Sequence, residues 1–562
     1  MPILSQWSLP IPLVSIPSHI FGSADGHVPD TPFMFDCEHP ATRKFSLRDY
    51  RDWSKRLAAG LVEGGLQAGD RVMLFSGNSI FTPVVIMGTI MAGGIATTAN
   101  PAFFPRELAH QLRDSGAKFI LVDFDLLDCA QKAASMVNLS EDQIFCFDDT
   151  PLTGMSPRPS SIQHWSRLIK DPAAGARFQW EEFSTEAQTH RTAILFYSSG
   201  TTGLPKGVEA THRNIVANNC QLIHLQSLDP RFQKMDERGQ ARSLCALPMY
   251  HGLGLVIYTM IAPKRRMSVY LMKKFDGRKM LEYIQRFKIT ELVFVPPILG
   301  WMAKNPLSRS GTVDLSSVQR VLCGAAPLSA SVSADFESLW ENRQVNVKQA
   351  WGMSEFPCVA LGWDDRQTST AASVGELLAN CEAKLVNEDN ETEIKSRGER
   401  GELWVRGPNV MKGYWRNPKA TKDTITSDGW LKSGDIAYVD ETNKFYIVDR
   451  KKELIKVKGS QVAPAELEAL LVCCTGIADA AVIGVKNGDD EQPRAYVVRS
   501  PGSNITEHQI LEYVKQNVAK VKQITGGVVF MDEIPRNPSG KILRKELRAL
   551  NEREIKQAGP KI

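Results

Sequence analysis

No two cysteines are spaced as CxxC, and none of the ten, at positions 37, 129, 146, 220, 245, 323, 358, 381, 473 and 474, pairs with a histidine at metal-ligand spacing. A disulfide scaffold and a zinc site are therefore not expected. Neither sign of charge dominates: 67 Lys+Arg against 63 Asp+Glu leave a net +4 on 562 residues, too little for a general nucleic-acid or membrane-surface binder. The opening MPILSQWSLPIPLVSIP lacks the basic n-region and unbroken apolar core of a secretory leader, so an intracellular, reducing location is expected. No apolar run reaches the roughly 18 to 20 residues of a membrane span. The most apolar stretch, Val84 to Asn100, is interrupted by Gly88, Gly93 and Gly94 and reads as a buried helix. No internal repeat is present.

What is present is ordinary globular composition, 43% hydrophobic and 23% charged with 41 Gly and 31 Pro, on a length that suggests three to four domain-sized units. Strand-like runs alternate with amphipathic helical runs, as in RVMLFSG (71–77) before Ile80 to Met91, and RELAHQLRDSG before KFILVD (118–123). DGRKMLEYIQRF places Met280, Leu281, Ile284 and Phe287 at helical spacing directly before ELVFVP. This is the pattern of an α/β architecture with largely parallel sheets. From about 373 to 448 short strands separated by turn residues predict a β-rich subdomain. After Asp449 helix and strand alternate again at smaller scale, predicting a separate domain over 453–562. The expected division is 1–448, a link at 449–452, and 453–562.

The most specific local feature is Tyr197-Ser198-Ser199-Gly200-Thr201-Thr202-Gly203-Leu204-Pro205-Lys206-Gly207, between the strand-like AILF and a helix-like segment starting near His212. Hydroxyls, bare glycine backbone and one lysine are groups that hold a phosphate chain. The GxxxxGK[ST] spacing of a Walker A loop is absent.

SSGTTGLPKG resembles the phosphate-loop signature of the acyl-adenylate-forming enzymes, which include acyl- and aryl-CoA ligases, peptide-synthetase adenylation domains and beetle luciferases. Six further stretches stand in that family's order: LPMYHGLG (247–254), CGAAPLS (323–329), QAWGMSE (349–355), GELWVRGPNVMKGYW (401–415), the run from WLKSGDIA to DRKKELIKVKGSQVAPAELE (430–468), and PRNPSGKILRKEL (535–547). The likeness extends from near residue 80 to about residue 547. It identifies the chain as a member of the AMP-binding superfamily, in the acyl/aryl-CoA ligase branch and similar to 4-coumarate-CoA ligase-like proteins. It implies a large N-terminal domain of two α/β subdomains plus the β-rich one, and a small mobile α+β C-terminal domain. It also implies ATP, Mg²⁺ and CoA as cosubstrates. A carboxylate would attack the α-phosphate to give an acyl-AMP and pyrophosphate, and a thiol would then displace AMP; positioning and charge neutralisation carry most of such a reaction.

Carried over residue by residue, the resemblance puts Ser198, Ser199, Gly200, Thr201, Thr202, Gly203 and Lys206 around the phosphates, with Thr202 in the catalytic set. Glu355 matches the carboxylate that holds Mg²⁺. Gly324, Ala325 and Ala326 would lie on one side of adenine and Trp351, where most members have Tyr, on the other, followed by Gly352, Met353 and Ser354. Asp435 matches the acid that accepts the ribose hydroxyls, with Arg450 beside it. Lys541 would place its ammonium against the incoming carboxylate and the α-phosphate. Lys452 matches the family's hinge, about which the small domain swings to present Lys456, Lys458, Gly459 and Gln461 to CoA.

His251 matches the histidine at the mouth between the acyl and thiol channels. Met249-Tyr250-His251-Gly252 supplies no acid for a substrate ammonium, which disfavours an α-amino acid. Compared with plant hydroxycinnamate-CoA ligases, Gly252 and Leu253 replace a branched aliphatic and a Tyr, and Val256 and Leu322 replace polar groups. The expected wall, Tyr250, His251, Leu255, Val256, Leu322, Gly324, Gly352 and Cys358, suits an apolar medium-chain fatty or aryl acid. Two other readings stay open: an adenylating enzyme that loads a separate carrier protein's phosphopantetheine, and a non-catalytic nucleotide-binding protein. A luciferase-like fate of the adenylate has little support in the sequence. The terminal Pro560-Lys561-Ile562 loosely resembles a peroxisomal import tripeptide, so the peroxisome or the cytosol is expected. Lys264-Arg265-Arg266 reads as a solvated charge run, with the CoA phosphates as its alternative partner.

Overall fold

A computed structural model describes residues 2–558 other than 155, 199–203, 341–344, 371, 388–389, 458–459, 488–489 and 538–539. Two seven-stranded sheets form the N-terminal part. In the first, Ile144–Phe147, Ala117–Asp123, Arg71–Phe75, Ile95–Ala99 and Thr192–Ser198 run parallel in that order, and the antiparallel strands Lys206–Thr211 and Gly413–Tyr414 complete the edge. In the second, Val347–Gln349, Arg320–Cys323, Glu291–Phe294, Arg242–Cys245, Ser268–Leu271 and Pro32–Asp36 are parallel, with Lys44–Ser46 antiparallel at the end. Parallel strands need cover on both faces, and Leu74, Ile120, Ile194, Leu244, Val293 and Val321 are accordingly buried.

The helix Gly277–Phe287 forms where the spacing predicts it: Met280, Leu281, Ile284 and Phe287 are buried on one face, and the Asp276 side chain accepts from Lys279 N–H to cap the first turn. The stretch from Val84 to Asn100 differs from expectation, being two elements. The helix Thr82–Met91 is buried all round and ends before Gly93, whose φ of +76° turns the chain into the strand Ile95–Ala99. Among the described residues no helix is long and apolar enough to cross a membrane.

The expected β-rich region is an antiparallel sheet of Glu382–Val386, Gly401–Arg406, Leu431–Val439 and Phe445–Arg450, extended by Glu393–Ile394. It also takes in Ile3–Leu4 from the far end of the chain, pairing with Glu382 and Ala383. The C-terminal part joins the hairpin Ile455–Val457/Ser460–Val462 to a sheet of Ile477–Asn487, Asp490–Arg499 and Val528–Phe530, packed by the helices Pro464–Cys473, Glu507–Asn517 and Arg544–Ala558. It has its own core around Leu467, Leu471, Val482, Val497 and Ile510.

Of Lys264-Arg265-Arg266, expected as a solvated charge run, Lys264 and Arg266 are exposed and Arg265 is not. Arg265 is buried, donates from Nε and Nη2 to both oxygens of Asp236 at 2.9 Å, and from Nη1 to Glu291 at 3.0 Å. Glu291 also pairs with Arg320, which bonds Asp365 at 2.8 Å. These five groups form one network at the start of the strands that carry Glu291 and Arg320, and the three-residue pattern carries no sign of that pairing. Lys264 Nζ donates to the His19 carbonyl.

Candidate active site

Thr192–Ser198 and Lys206–Thr211 form a hairpin in which Ser198 and Lys206 are opposite partners. The loop that joins them is therefore closed at its base, with Lys206 exposed there. Ser199, Gly200, Thr201, Thr202 and Gly203 lie outside the described residues. His110 Nε2 is 3.0 Å from the Pro205 carbonyl and ties the end of the loop to the helix Pro105–Ser115.

The carboxyl ends of neighbouring parallel strands build the floor beside it. Gly324-Ala325-Ala326 follow the strand Arg320–Cys323, Gly324 N–H donates to Phe294, and Ala325 turns the chain at a φ of +73°. The strand Val347–Gln349 leads to Ala350, whose N–H donates to the Cys323 carbonyl, and to Trp351. Crevices at the carboxyl ends of parallel strands are where α/β sheets take ligands.

Trp351 is buried, and its Nε1–H donates to Asp435 Oδ2 at 2.8 Å. Asp435, also buried, faces Arg450 across an antiparallel pair, with Oδ1 3.2 Å from Arg450 Nε. Trp351 and Arg450 thus fix one carboxylate, one oxygen each. Glu355 is buried as well; its Oε1 accepts from the Tyr414 hydroxyl at 2.7 Å, and its backbone carbonyl accepts from Met411 N–H. Among the described residues Oε2 accepts no hydrogen bond, and no three metal-ligating side chains converge anywhere. One buried carboxylate with an open oxygen fits Mg²⁺, which takes most of its ligands from phosphate and water, rather than an ion that needs a protein cage.

The C-terminal domain reaches this floor. Lys541 is held to Asn537, whose N–H donates to the Lys541 carbonyl and whose Oδ1 accepts from Lys541 N–H. Gly540, at φ +82°, presses on the other domain: a Cβ there would meet Pro297 at 3.1 Å. Burial and the neighbouring Arg450 pull the Lys541 ammonium down to about 8, against the opposing pull of Asp435. Lys541 therefore sits in the electrostatic field of the Asp435–Arg450 pair.

Of the residues expected to wall the acyl site, the glycines make close backbone approaches. A Cβ on Gly352 would strike the Cys358 carbonyl at 2.0 Å, so only glycine lets these segments touch. A Cβ on Gly252 would meet the Pro357 carbonyl at 3.4 Å and the Phe196 ring at 3.6 Å; one on Gly324 would meet Ala350 O at 3.5 Å. Tyr250 and His251 hold their rings 4.8 Å apart. Leu255, Val256 and Leu322 are buried, and burial raises the Cys358 thiol and the Tyr250 hydroxyl to about 12. The helix Gly252–Val256 runs into a π-turn at Ile257–Ile261, a distortion often found at functional sites. Burial lowers His251 to about 4, so its ring is neutral at pH 7, and among the described residues its enclosed Nε2 has no hydrogen-bond partner.

Gly352, Met353 and Ser354 lie half-buried between Trp351 and Glu355. Lys456 and Gln461 face each other on the exposed hairpin Ile455–Val457/Ser460–Val462, while Lys458 and Gly459 lie outside the described residues. Lys452 is exposed in the turn after the strand Phe445–Arg450. Pro560, Lys561 and Ile562 also lie outside.

The AMP-binding enzyme family model matches residues 22–415, and the model of the AMP-binding enzyme C-terminal domain matches residues 466–541. The chain belongs to the AMP-binding enzyme family. Its relatives put it in the acid:CoA ligase branch. A "probable CoA ligase" of Humulus lupulus is 39% identical over 493 residues, covering 87% of this chain and 85% of that one. A phenylacetyl-CoA ligase of Aspergillus niger is 35% identical over 546 residues, covering 96% and 98%. Among solved structures, ATP-bound MatB from Rhodopseudomonas palustris is 27% identical with a TM-score of 0.81 over 96% of this chain and 99% of that one. The apo form of the same protein superposes less well, at 0.71.

One residue of this AMP-binding enzyme escapes sequence reasoning. Tyr414, within GELWVRGPNVMKGYW, touches Glu355 and stands under Lys206, whose Nζ is 4.9 Å from the ring centre. The signal available was the aromatic residue at the end of that motif; what it touches is not encoded locally.

Proposed function

We propose that this AMP-forming acid:CoA ligase activates an apolar carboxylic acid, a medium-chain fatty or aryl acid, and that the residues gathered above perform the two half-reactions. What supports the substrate reading is the apolar character of the residues assigned to the wall: buried Leu255, Val256 and Leu322 offer no donor or acceptor side chain, and Gly252 carries only hydrogen where a Cβ would touch the Phe196 ring at 3.6 Å. A para-hydroxyl buried against these three side chains is left unpaired, which disfavours hydroxycinnamates.

In the first half-reaction Lys206 and the hydroxyls of the loop hold the β- and γ-phosphates. Trp351 and the Gly324-Ala325-Ala326 backbone flank adenine, and Asp435 accepts the ribose hydroxyls. Glu355 holds Mg²⁺, which when bound neutralises phosphate charge. Lys541 steadies the acid's carboxylate and the α-phosphate as the carboxylate oxygen bonds to phosphorus and pyrophosphate leaves. The domain orientation, with Gly540 against Pro297, supports an adenylating arrangement. Rotation about 449–452, with Lys452 as hinge, then withdraws Lys541 and brings Lys456 and Gln461 towards CoA, whose thiolate displaces AMP past His251. The division into 1–448 and 453–562 belongs to this reading. The test is kcat/KM for hexanoate, octanoate, cinnamate, phenylacetate and 4-coumarate with ATP and CoA. A higher value for 4-coumarate than for the other four overturns the substrate assignment.

A further inference from the structure

The residues 411–415 bind both ends of the phosphate site at once. Met411 N–H holds the Glu355 carbonyl, Tyr414 pairs with Val208 in the edge strand, and Trp415 N–H donates to Gly207. Tyr414 N–H donates to Thr421 Oγ1 at 2.9 Å, fixing the start of the side chain. From that anchor the half-buried Tyr414 ring lies under Lys206 Nζ, and its hydroxyl donates to Glu355 Oε1 at 2.7 Å. We propose that Tyr414 is a positioning residue that couples the phosphate lysine to the metal carboxylate: its hydroxyl occupies Oε1 and turns Oε2 outward for Mg²⁺, while its ring holds the Lys206 ammonium. The proposal rests on the assignment of Glu355 to Mg²⁺ given above.

Two physical effects support it. A carboxylate that binds a metal with one oxygen needs its rotamer fixed, and a hydroxyl donor to the other oxygen does this; loss of such outer partners weakens metal affinity by about 10- to 100-fold. An ammonium over a tyrosine face is held without an anion beside it, so Lys206 is kept in place with its charge available to phosphate. No carboxylate is paired with Lys206 among the described residues.

The test measures ATP binding by calorimetry, without acid or CoA, across a Mg²⁺ series and in EDTA. The proteins are the wild type, Tyr414→Phe, Tyr414→Leu, Glu355→Gln and the Tyr414→Phe/Glu355→Gln double variant. Tyr414→Phe keeps the ring and loses the hydroxyl. It is expected to raise the Mg²⁺ concentration at half-saturation by about tenfold or more, while ATP affinity in EDTA stays within about twofold. Tyr414→Leu loses the ring as well and is expected to weaken ATP binding in EDTA too. The double variant should match Glu355→Gln alone. An unchanged half-saturation in Tyr414→Phe, equal weakening with and without Mg²⁺, or additive losses in the double variant would overturn the proposal while Glu355→Gln still shows a Mg²⁺ defect. If Glu355→Gln shows none, the metal assignment of Glu355 falls and the proposal with it.

Discussion

Lys541 gives the sharpest kinetic expectation. Burial and Arg450 lower its ammonium to about 8 in the free enzyme, and the charged form is the one that can stabilise the α-phosphate. On the proposed role, activity should be present below about pH 8 and lost as pH rises through that value. The protonated fraction falls from about nine-tenths at pH 7 to about one-tenth at pH 9, so kcat/KM for ATP in acid-dependent pyrophosphate release should drop roughly tenfold. Bound polyphosphate favours the ammonium and should move the same limb to higher pH in kcat. Removing the charge in Lys541→Ala costs about 4 kcal/mol for a contact near 4 Å in a partly screened site, or about a thousandfold in adenylation. Thioester formation from presynthesised acyl-AMP and CoA should be largely retained. Lys541→Arg stays charged and should lose the alkaline limb whatever its rate. Wild-type pyrophosphate release in Lys541→Ala, or a flat profile to pH 9.5 in the wild type, would refute the role.

Other consequences are open to direct measurement. Trp351→Phe keeps a ring for adenine but removes the bond to Asp435, and the preference for ATP over 2′-deoxy-ATP should fall by about tenfold; an unchanged preference would mean the indole N–H does not position the acid. Gly252→Ile puts a branched side chain against the Phe196 ring, which a Cβ alone would meet at 3.6 Å, and on the proposed wall kcat/KM for octanoate should drop at least about tenfold relative to butyrate; equal losses for both acids would remove Gly252 from the acyl wall. Arg265→Met leaves buried Glu291 with Arg320 as its remaining cation and takes both donors from half-buried Asp236, and should cost about 3 kcal/mol in urea unfolding, whereas a loss below about 1 kcal/mol would mean that Arg320 and water satisfy the two acids.

Local periodicity made many alternating elements of the two parallel sheets legible, because the strands there are short apolar runs and helices such as Gly277–Phe287 show one apolar face, with Met280, Leu281, Ile284 and Phe287 on it. The site was legible as an ordered set of motifs. Their closing contacts were not: Trp351 meets Asp435 across 84 positions, Glu355 meets Tyr414 across 59, and Gly540 meets Pro297 across a domain interface. Burial of Arg265 was hidden for the same reason, since its acids stand at 236 and 291. The stretch from Val84 to Asn100 misled because an apolar helix and a buried parallel strand share one composition, and only Ala92, Gly93 and Gly94 separate them.

The most direct measurement is to incubate the protein with ATP, Mg²⁺, CoA and a pooled set of fatty, phenylalkanoic and cinnamic acids, and to read acyl-adenylates and acyl-CoA products by mass spectrometry. The account predicts acyl-CoA thioesters of apolar acids, with AMP and pyrophosphate in equal amount. Adenylates that accumulate without any thioester would contradict it and point to a carrier protein as the acceptor; no adenylate at all would remove the catalytic reading.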